Sequence, residues 1–508
     1  MSPVAGRAKT PGRRPSKAPR RAVAAAVFGA SLPVFMVSLN NLLVTNALPE
    51  IEKQLLMSIT GLQWVINAYI LAFAGLLLTG SALGDRFGRR KVFLAGIALF
   101  AVGSALCGMV RSGEVLIAAR TLQGAGAAAI QPLSLTLVVG AVPAAKRSVA
   151  IGLWGGVNGL GVALGPLVGG LITAHAPWQW IFWVNIPVAA AAVPFVLRGV
   201  RETHGEDSGL DLPGMVMVIG AVTLAVWGIV QVGTAGWSSP SVLVPLAAAV
   251  VLTTAFVSWE RRARSPLLPL HFYRQRAFVM SNLVSLAFYF GVFGSIFFLS
   301  QYFQDSLGYS ALGAGVRTLP WSAMPMLVAP IAGAFTDRVG GNRLMAGGLA
   351  LQGLGLAWVA AIAQVGLSYT RLVPALVLAG VGMGLVFAPT MAVVLGSVRP
   401  HDYSKASGAN NTVREIGGAL GVAALSTVYL AHFTVVRAFP FDAARAFVHG
   451  MVAALWVGVA VLLAAAVLSL FIPASPALAD EDGESGMNAL VPAESPGTEG
   501  RLAPASAD

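Results

Sequence analysis

Leu83-Gly84-Asp85-Arg86-Phe87-Gly88-Arg89-Arg90-Lys91 closes one long apolar run. Phe335-Thr336-Asp337-Arg338-Val339-Gly340-Gly341-Asn342-Arg343 closes another in the second half of the chain. Each is an Asp-Arg-x-Gly turn with a basic residue shortly after it, set between two stretches of membrane-spanning length. A charged turn copied into both halves is the mark of a duplicated carrier, whose parallel repeats build two helix bundles around a central cavity.

The 508 residues are 56% hydrophobic and only 11% charged, with a mean hydropathy of +0.76. A soluble chain carries about 25% charge, so this composition predicts an all-α integral membrane protein. Fourteen apolar segments of suitable length can be drawn, at 24–48, 61–82, 92–110, 114–140, 147–173, 179–198, 213–233, 241–259, 277–304, 311–335, 344–364, 371–398, 405–431 and 446–472. They divide the chain into a disordered basic arm (1–21), an N-terminal six-helix bundle (22–200) and a linker with two extra transmembrane helices (201–271). A C-terminal six-helix bundle (272–472) and a disordered acidic tail (473–508) follow.

The net charge of +12 could suggest a nucleic-acid partner, but its placement argues for a membrane. Most of the 33 Lys and Arg fall in the arm and on one set of loops. The other set holds only Lys53, Arg111, Arg317, Arg371, Arg437 and Arg445. By the positive-inside rule both termini are expected in the cytoplasm of a multi-pass cell-membrane protein. The arm, with Arg7, Lys9, Arg13, Arg14, Lys17, Arg20 and Arg21, would lie against anionic lipid. The single Cys107 excludes an internal disulfide and is read as packing within its span. The loop Glu260–Arg276, with five arginines, reads as an anchor at the membrane surface.

Two arginines fall within spans. Arg120 lies about 9 Å into the fourth, with Gln123 one helical turn further on the same face. An arginine at that depth faces protein or a water-filled cavity, or else snorkels to the surface. The fifth span carries Gly152, Gly161, Gly165, Pro166, Gly169 and Gly170, a spacing that lets helices touch closely, with a proline to bend the path. In the ninth, Phe288, Tyr289, Phe290, Phe293, Phe297 and Phe298 either line an apolar cavity or face lipid. Gln301, Gln304 and Asp305 near its outer end are candidate polar contacts.

The Asp85 turn, the Arg120 segment and the Gly-Pro span resemble the three signature motifs of the major facilitator superfamily. Fourteen spans and the Gly-Pro pattern resemble its drug:proton antiporter branch, the EmrB/QacA-like multidrug and antibiotic exporters. Trp64-Val65-Ile66-Asn67-Ala68-Tyr69, Trp180-Ile181-Phe182 with Asn185 and Pro187, and Ala406-Ser407-Gly408 match as well. The resemblance covers nearly all of residues 24–472. It implies the major facilitator fold, two six-helix bundles plus two extra central helices, moving a small amphipathic substrate outward against protons. It further implies gating by Asp85, Arg86, Gly88 and Arg89 and by the second copy, Asp337 and Arg338. Arg120 would take part in proton transfer, and the span 5 glycines would keep the cavity from leaking.

Two departures qualify the implied mechanism. Where the family's first span usually carries aspartate, this chain has Asn40, which can hydrogen-bond a substrate but cannot carry a proton. The glycine that opens the first turn motif is Ser81, whereas Gly333 keeps it in the second copy. If Asn40 cannot titrate, another acid must. Of the 21 Asp and Glu, Glu415 alone lies deep within a span, about 15 Å into the thirteenth. It is either a proton carrier or half of a structural ion pair with Arg414 or Arg120. Proton coupling is thus assigned to Glu415 and Arg120, and substrate contact to Asn40, Gln123, Tyr289, Phe293 and Gln301. The acid-poor interior favours a neutral, weakly charged or anionic substrate. No Gly-rich phosphate loop with Lys and Ser/Thr supports ATP coupling, and the 6 histidines are scattered. The expectation is a monomeric carrier, not an enzyme, with no cofactor or metal and no nucleic-acid partner.

Overall fold

The computed structural model describes residues 20–57, 59–143, 146–205, 211–263, 266–437 and 443–473. The basic arm and acidic tail lie outside these residues, apart from their innermost positions. The described residues are helical, with no strand among them. Lipid offers no hydrogen-bond partner, so a spanning backbone must satisfy itself within each segment.

The first half holds α1 (Arg20–Leu55), α2 (Ile59–Phe87), α3 (Arg89–Met109), α4 (Gly113–Ala141), α5 (Arg147–His175), α6 (Trp180–Trp183) and α7 (Asn185–Gly199). Then come α8 (Leu212–Ala235) and α9 (Pro240–Glu260). The second half holds α10 (Arg276–Gln301), α11 (Ala311–Ser322), α12 (Met324–Val339), α13 (Gly341–Ile362), α14 (Tyr369–Gly396), α15 (Tyr403–Arg437) and α16 (Ala443–Leu470). Among the described residues twelve segments are long and apolar enough to cross a membrane, and α1 contributes a shorter apolar stretch, Ala24–Asn40. The sixth expected span is α6 and α7 in succession. The tenth is split into α11 and α12 because Pro325, in the first turn of α12, cannot supply the amide that a continuous helix would use.

Packing decides what the site can be made from. Helix α1 lies on α4, α5 and α7, and α2 and α3 both lie on α4. In the second half α10 packs on α15 and α16, and α13 on α14 and α16. The halves meet along two seams: α5 against α11 and α12, and α2 against α15, with α4 also touching α15. The pair α8–α9 is a hairpin laid outside the second seam, with α8 touching both α2 and α15. The caps of this hairpin are local: Asp211 Oδ1 accepts from the Gly214 amide (3.0 Å), and Ser239 Oγ from the Ser241 amide (3.3 Å).

Candidate functional site: a clasp and an arginine-glutamate centre

The Asp85 turn sits at the seam between α2 and α15. Helix α2 stops at Phe87 because Gly88 takes φ 105°, a conformation a side chain would strain, and α3 starts at once. Asp85 is buried in the last turn of α2 and accepts from Arg89 Nε at 2.8 Å. Its other oxygen accepts from Ser404 Oγ at the start of α15. Arg89 Nη2 donates to the His401 carbonyl (2.7 Å), and Arg147 Nη1 to the Tyr403 hydroxyl (3.3 Å). Glu202 accepts from the amides of Arg90 (2.8 Å) and Lys91 (3.2 Å), placing a carboxylate on the positive end of α3. Together these bonds clasp the two halves at one end of the molecule.

The structure brings Arg89, not Arg86, to the carboxylate: Arg86 is exposed, its guanidinium 5.4 Å from the Phe87 ring centre. In the second copy Arg338 is likewise exposed, and the side chain of Asp337 lies outside the described ones. Ser404, His401 and Glu202 escaped the sequence reading. Glu202 sits in the charged linker and could have been suspected as a helix cap; nothing marked Ser404 or the His401 carbonyl.

The glycines of α5 mark the other seam. A Cβ at Gly152 would lie 2.5 Å from the Ala329 carbonyl of α12, one at Gly161 2.7 Å from the Phe35 carbonyl of α1, and one at Gly170 3.0 Å from Leu312 Cβ of α11. Gly165 and Gly169 are buried, and α5 runs as one helix through Pro166, whose side chain is not among those described. Across the same seam a Cβ at Gly333 would lie 2.3 Å from the Ser148 carbonyl.

Between the seams lie the ionisable residues. In the first half Arg120 is buried, with Nε donating to the Val65 carbonyl (3.1 Å), Nη1 to Gln123 Oε1 (2.6 Å), and the guanidinium 4.2 Å from the Tyr69 ring centre. Gln123 Nε2 reaches Ser104 Oγ (2.7 Å) and Asn40 Oδ1 (3.2 Å), and Asn185 Nδ2 donates to the same Asn40 oxygen (3.2 Å). Asn40 and Gln123 are therefore joined in one buried amide network that braces Arg120.

In the second half Arg414 stands 4.3 Å from the Tyr289 ring centre and donates to Asn411 Oδ1 (2.9 Å). Tyr289, Phe288, Phe293 and Phe387 of α14 form one aromatic cluster with ring centres 5.1–6.0 Å apart. Phe387, absent from the sequence reading, faces Gly155 of α5 across the seam. Phe297 is exposed on the outer face, and Gln301 folds back on the Phe297 carbonyl (3.5 Å) instead of reaching inward.

Glu415 belongs to this centre. It keeps partial accessibility while its neighbours Tyr69, Arg120, Tyr289 and Arg414 are buried. It is near enough to Tyr69 of α2 and Tyr289 of α10 to act on both electrostatically. Among the described residues it makes no hydrogen bond or ion pair, with Arg120 and Arg414 each held by other partners. The centre thus carries two fixed guanidinium groups and one free carboxyl, and no His/Cys/Asp/Glu group among the described residues could hold a metal.

The Major Facilitator Superfamily profile matches residues 30–422. The chain belongs to the Major Facilitator Superfamily. Among curated relatives it is similar to the puromycin resistance protein pur8 of Streptomyces alboniger, 36% identical over 476 residues, covering 90% of this chain and 93% of that one. It is also similar to the tetracenomycin C resistance and export protein of Streptomyces glaucescens, 34% identical over 398 residues, covering 78% and 74%. In fold it is similar to the crystal structure of the human organic anion transporter MFSD10, with a TM-score of 0.61 at 18% identity, covering 89% of this chain and 99% of that one. The protein is a multi-pass membrane transporter with the major facilitator fold, not an enzyme.

Proposed function

We propose that the chain exports an amphipathic drug or antibiotic in exchange for protons, and that Glu415 carries the proton. The observation behind this reading is the state of Glu415: a partly accessible glutamate, without a hydrogen bond or ion pair among the described residues, close to tyrosines of both halves. A proton and a donor group of the substrate would compete for the same carboxyl oxygens, and that competition is the coupling. The two arginines suit an acceptor group elsewhere on the substrate, and the Phe288–Tyr289–Phe293–Phe387 cluster suits an aromatic or alicyclic body. A neutral or zwitterionic compound meets all three, and the names of the relatives, resistance and export proteins for antibiotics, support that class.

In this reading α1 and α5 also cross the bilayer, giving fourteen spans, with both termini and the Asp85 clasp on the cytoplasmic side of the cell membrane. The clasp holds the cytoplasmic end shut. Opening it, with Asp85 leaving Ser404 and Arg89 leaving His401, admits substrate from inside. The α5 glycines let the other seam rock without parting, and the monomer suffices.

Substrate-dependent proton movement in inverted vesicles tests the proposal, after a resistance screen in a drug-sensitive bacterium has supplied a substrate. The native chain is expected to move protons with substrate. A native chain that moves substrate without protons sinks the coupled reading. The second reading, an uncoupled facilitator, is favoured by Asn40: its oxygen already serves Gln123 and Asn185, so the usual acidic position is committed to a neutral network. On that reading Asn40→Asp creates coupling that the native chain lacks.

A further inference from the structure

A cavity that the transport centre does not use lies under the hairpin α8–α9. Its volume is about 1010 Å³, at the upper end of the range of small-molecule sites, about 300–1,000 Å³. Val218, Val222, Phe256, Val257, Leu268 and Ile416 make its walls apolar. It lies at the clasped end of the molecule: Lys405, next to Ser404, donates to the Pro266 carbonyl (3.1 Å) in the loop that closes the cavity.

One charged side chain in the wall is almost wholly buried. Glu260, the last residue of α9, is 4% exposed. Its Oε1 accepts from the amides of Leu267 (3.0 Å) and Leu268 (3.3 Å), which turns the chain after α9. Its Oε2 is buried and meets no donor among the described residues. A carboxylate oxygen stripped of water without a donor is costly, and one oxygen suffices for the loop. The rim arginines, Arg261 and Arg274, are exposed to water and are screened there, and His271 beside them is exposed as well. Asp211, near Glu260, adds a second acid, and Lys405 is already turned to Pro266.

We propose that this cavity binds an amphipathic amine, with the ammonium on Glu260 Oε2 and the apolar body between α8, α9 and α15. The extra hairpin then forms a second ligand site beside the transport centre, open to the leaflet at the clasped end. The apolar walls receive the chain or ring system, and the buried Glu260 oxygen left without a donor among the described residues is an acceptor. An anionic headgroup would find its partners only at the wet rim.

The test uses the purified full chain in nanodiscs and three photoreactive long-chain probes that differ only in their polar end: an amine, an alcohol and a carboxylate. Crosslinks are mapped by mass spectrometry. The amine is expected to label Phe256, Val257 and Ile416 about tenfold more than the alcohol, and Glu260→Gln to bring it down to the alcohol's level. Gln keeps the acceptor for the two loop amides, so the turn is preserved. Ala225→Phe, which fills the cavity and leaves the charge in place, is expected to lower labelling by the amine and the alcohol alike. Equal labelling by amine and alcohol in the native chain overturns the proposal, as does preferential labelling by the carboxylate near Arg261 and Arg274. If Glu260→Gln is not monodisperse, the amine-to-alcohol ratio in the native chain and the fall in labelling by both probes in Ala225→Phe decide. The readout is binding alone, so it is independent of whether transport at Glu415 is proton-coupled.

Discussion

The two Asp-Arg turns share a backbone and differ in what they hold. Gly88 (φ 105°, ψ 124°) and Gly340 (φ 94°, ψ 131°) take nearly the same conformation and each starts a helix at once. Around the first, Asp85, Arg89 and Glu202 bind Ser404, the His401 carbonyl and the first amides of α3. Around the second, Arg338 is exposed, and Asn342 bonds the Ile472 carbonyl (3.3 Å) within its own half. The same contrast holds deeper in. Arg120 is enclosed by amides, whereas Arg414 stands beside an accessible carboxyl. The two turns keep the same path of the chain while the chemistry around them is one-sided, with the clasp's acid in the first half and the partly accessible acid of the centre in the second.

The largest expected effect follows from that division. Glu415→Gln should abolish substrate-driven proton movement in inverted vesicles while the purified protein stays monodisperse, because the substitution keeps shape and removes the free acid. Persistent proton movement would place the carrier elsewhere and break the comparison at its deepest point. Next comes the clasp. Asp85→Ala leaves Arg89 buried without its anion, a change of about 3–5 kcal/mol against the clasped state. In a Cys107→Ser background, a thiol introduced as Ala406→Cys should then react at least about tenfold faster with maleimide. Arg338→Ala, at the position of the second turn that matches Arg86, should stay within about 0.5 kcal/mol and leave that rate unchanged.

Much of the fold was legible because membranes constrain sequences severely: spans must be long, apolar and helical, and the Asp-Arg turns mark the repeat. The seams were legible in part. The glycines of α5 announce close approach, and their partners are carbonyls of α1 and α12 and Leu312 of α11. What the sequence could not convey was pairing between distant residues. Asp85 meets Ser404 across 319 positions of chain and Gln123 meets Asn40 across 83, and neither serine nor glutamine has a spacing that betrays a distant partner. In the sequence Glu260 opens an arginine-rich loop and reads as part of a surface anchor. Only the path of the following loop shows that its carboxylate turns inward.

The two turn glycines differ in what an added methyl group would meet. Gly88→Ala and Gly340→Ala each force a side chain into a conformation costing about 1–3 kcal/mol. At Gly88 the new Cβ would also lie 2.7 Å from the Glu202 carboxyl carbon, whereas at Gly340 it meets only the Asn342 side chain at 2.9 Å. Both variants should lower thermal stability, Gly88→Ala by more because it also disturbs the cap on α3.

The smallest effects separate glycines that touch backbone from those that do not. At Gly152 an added methyl would press on the Ala329 carbonyl and on Pro330 Cα at 2.9 Å, atoms of a packed helix that cannot rotate away. Overpacking of this kind costs about 1–3 kcal/mol, so Gly152→Ala should lower the melting temperature and weaken the seam between α5 and α12. At Gly347, inside α13, nothing lies within 4 Å of the added methyl. Alanine is the better helix former by up to about 1 kcal/mol, so Gly347→Ala should leave stability unchanged or raise it slightly. Opposite signs in the two melting curves would show that glycine is required at the seam by contact and merely tolerated on the outer face. Equal losses would mean that α13 also meets a close neighbour there, and the contrast between seam and face would fall.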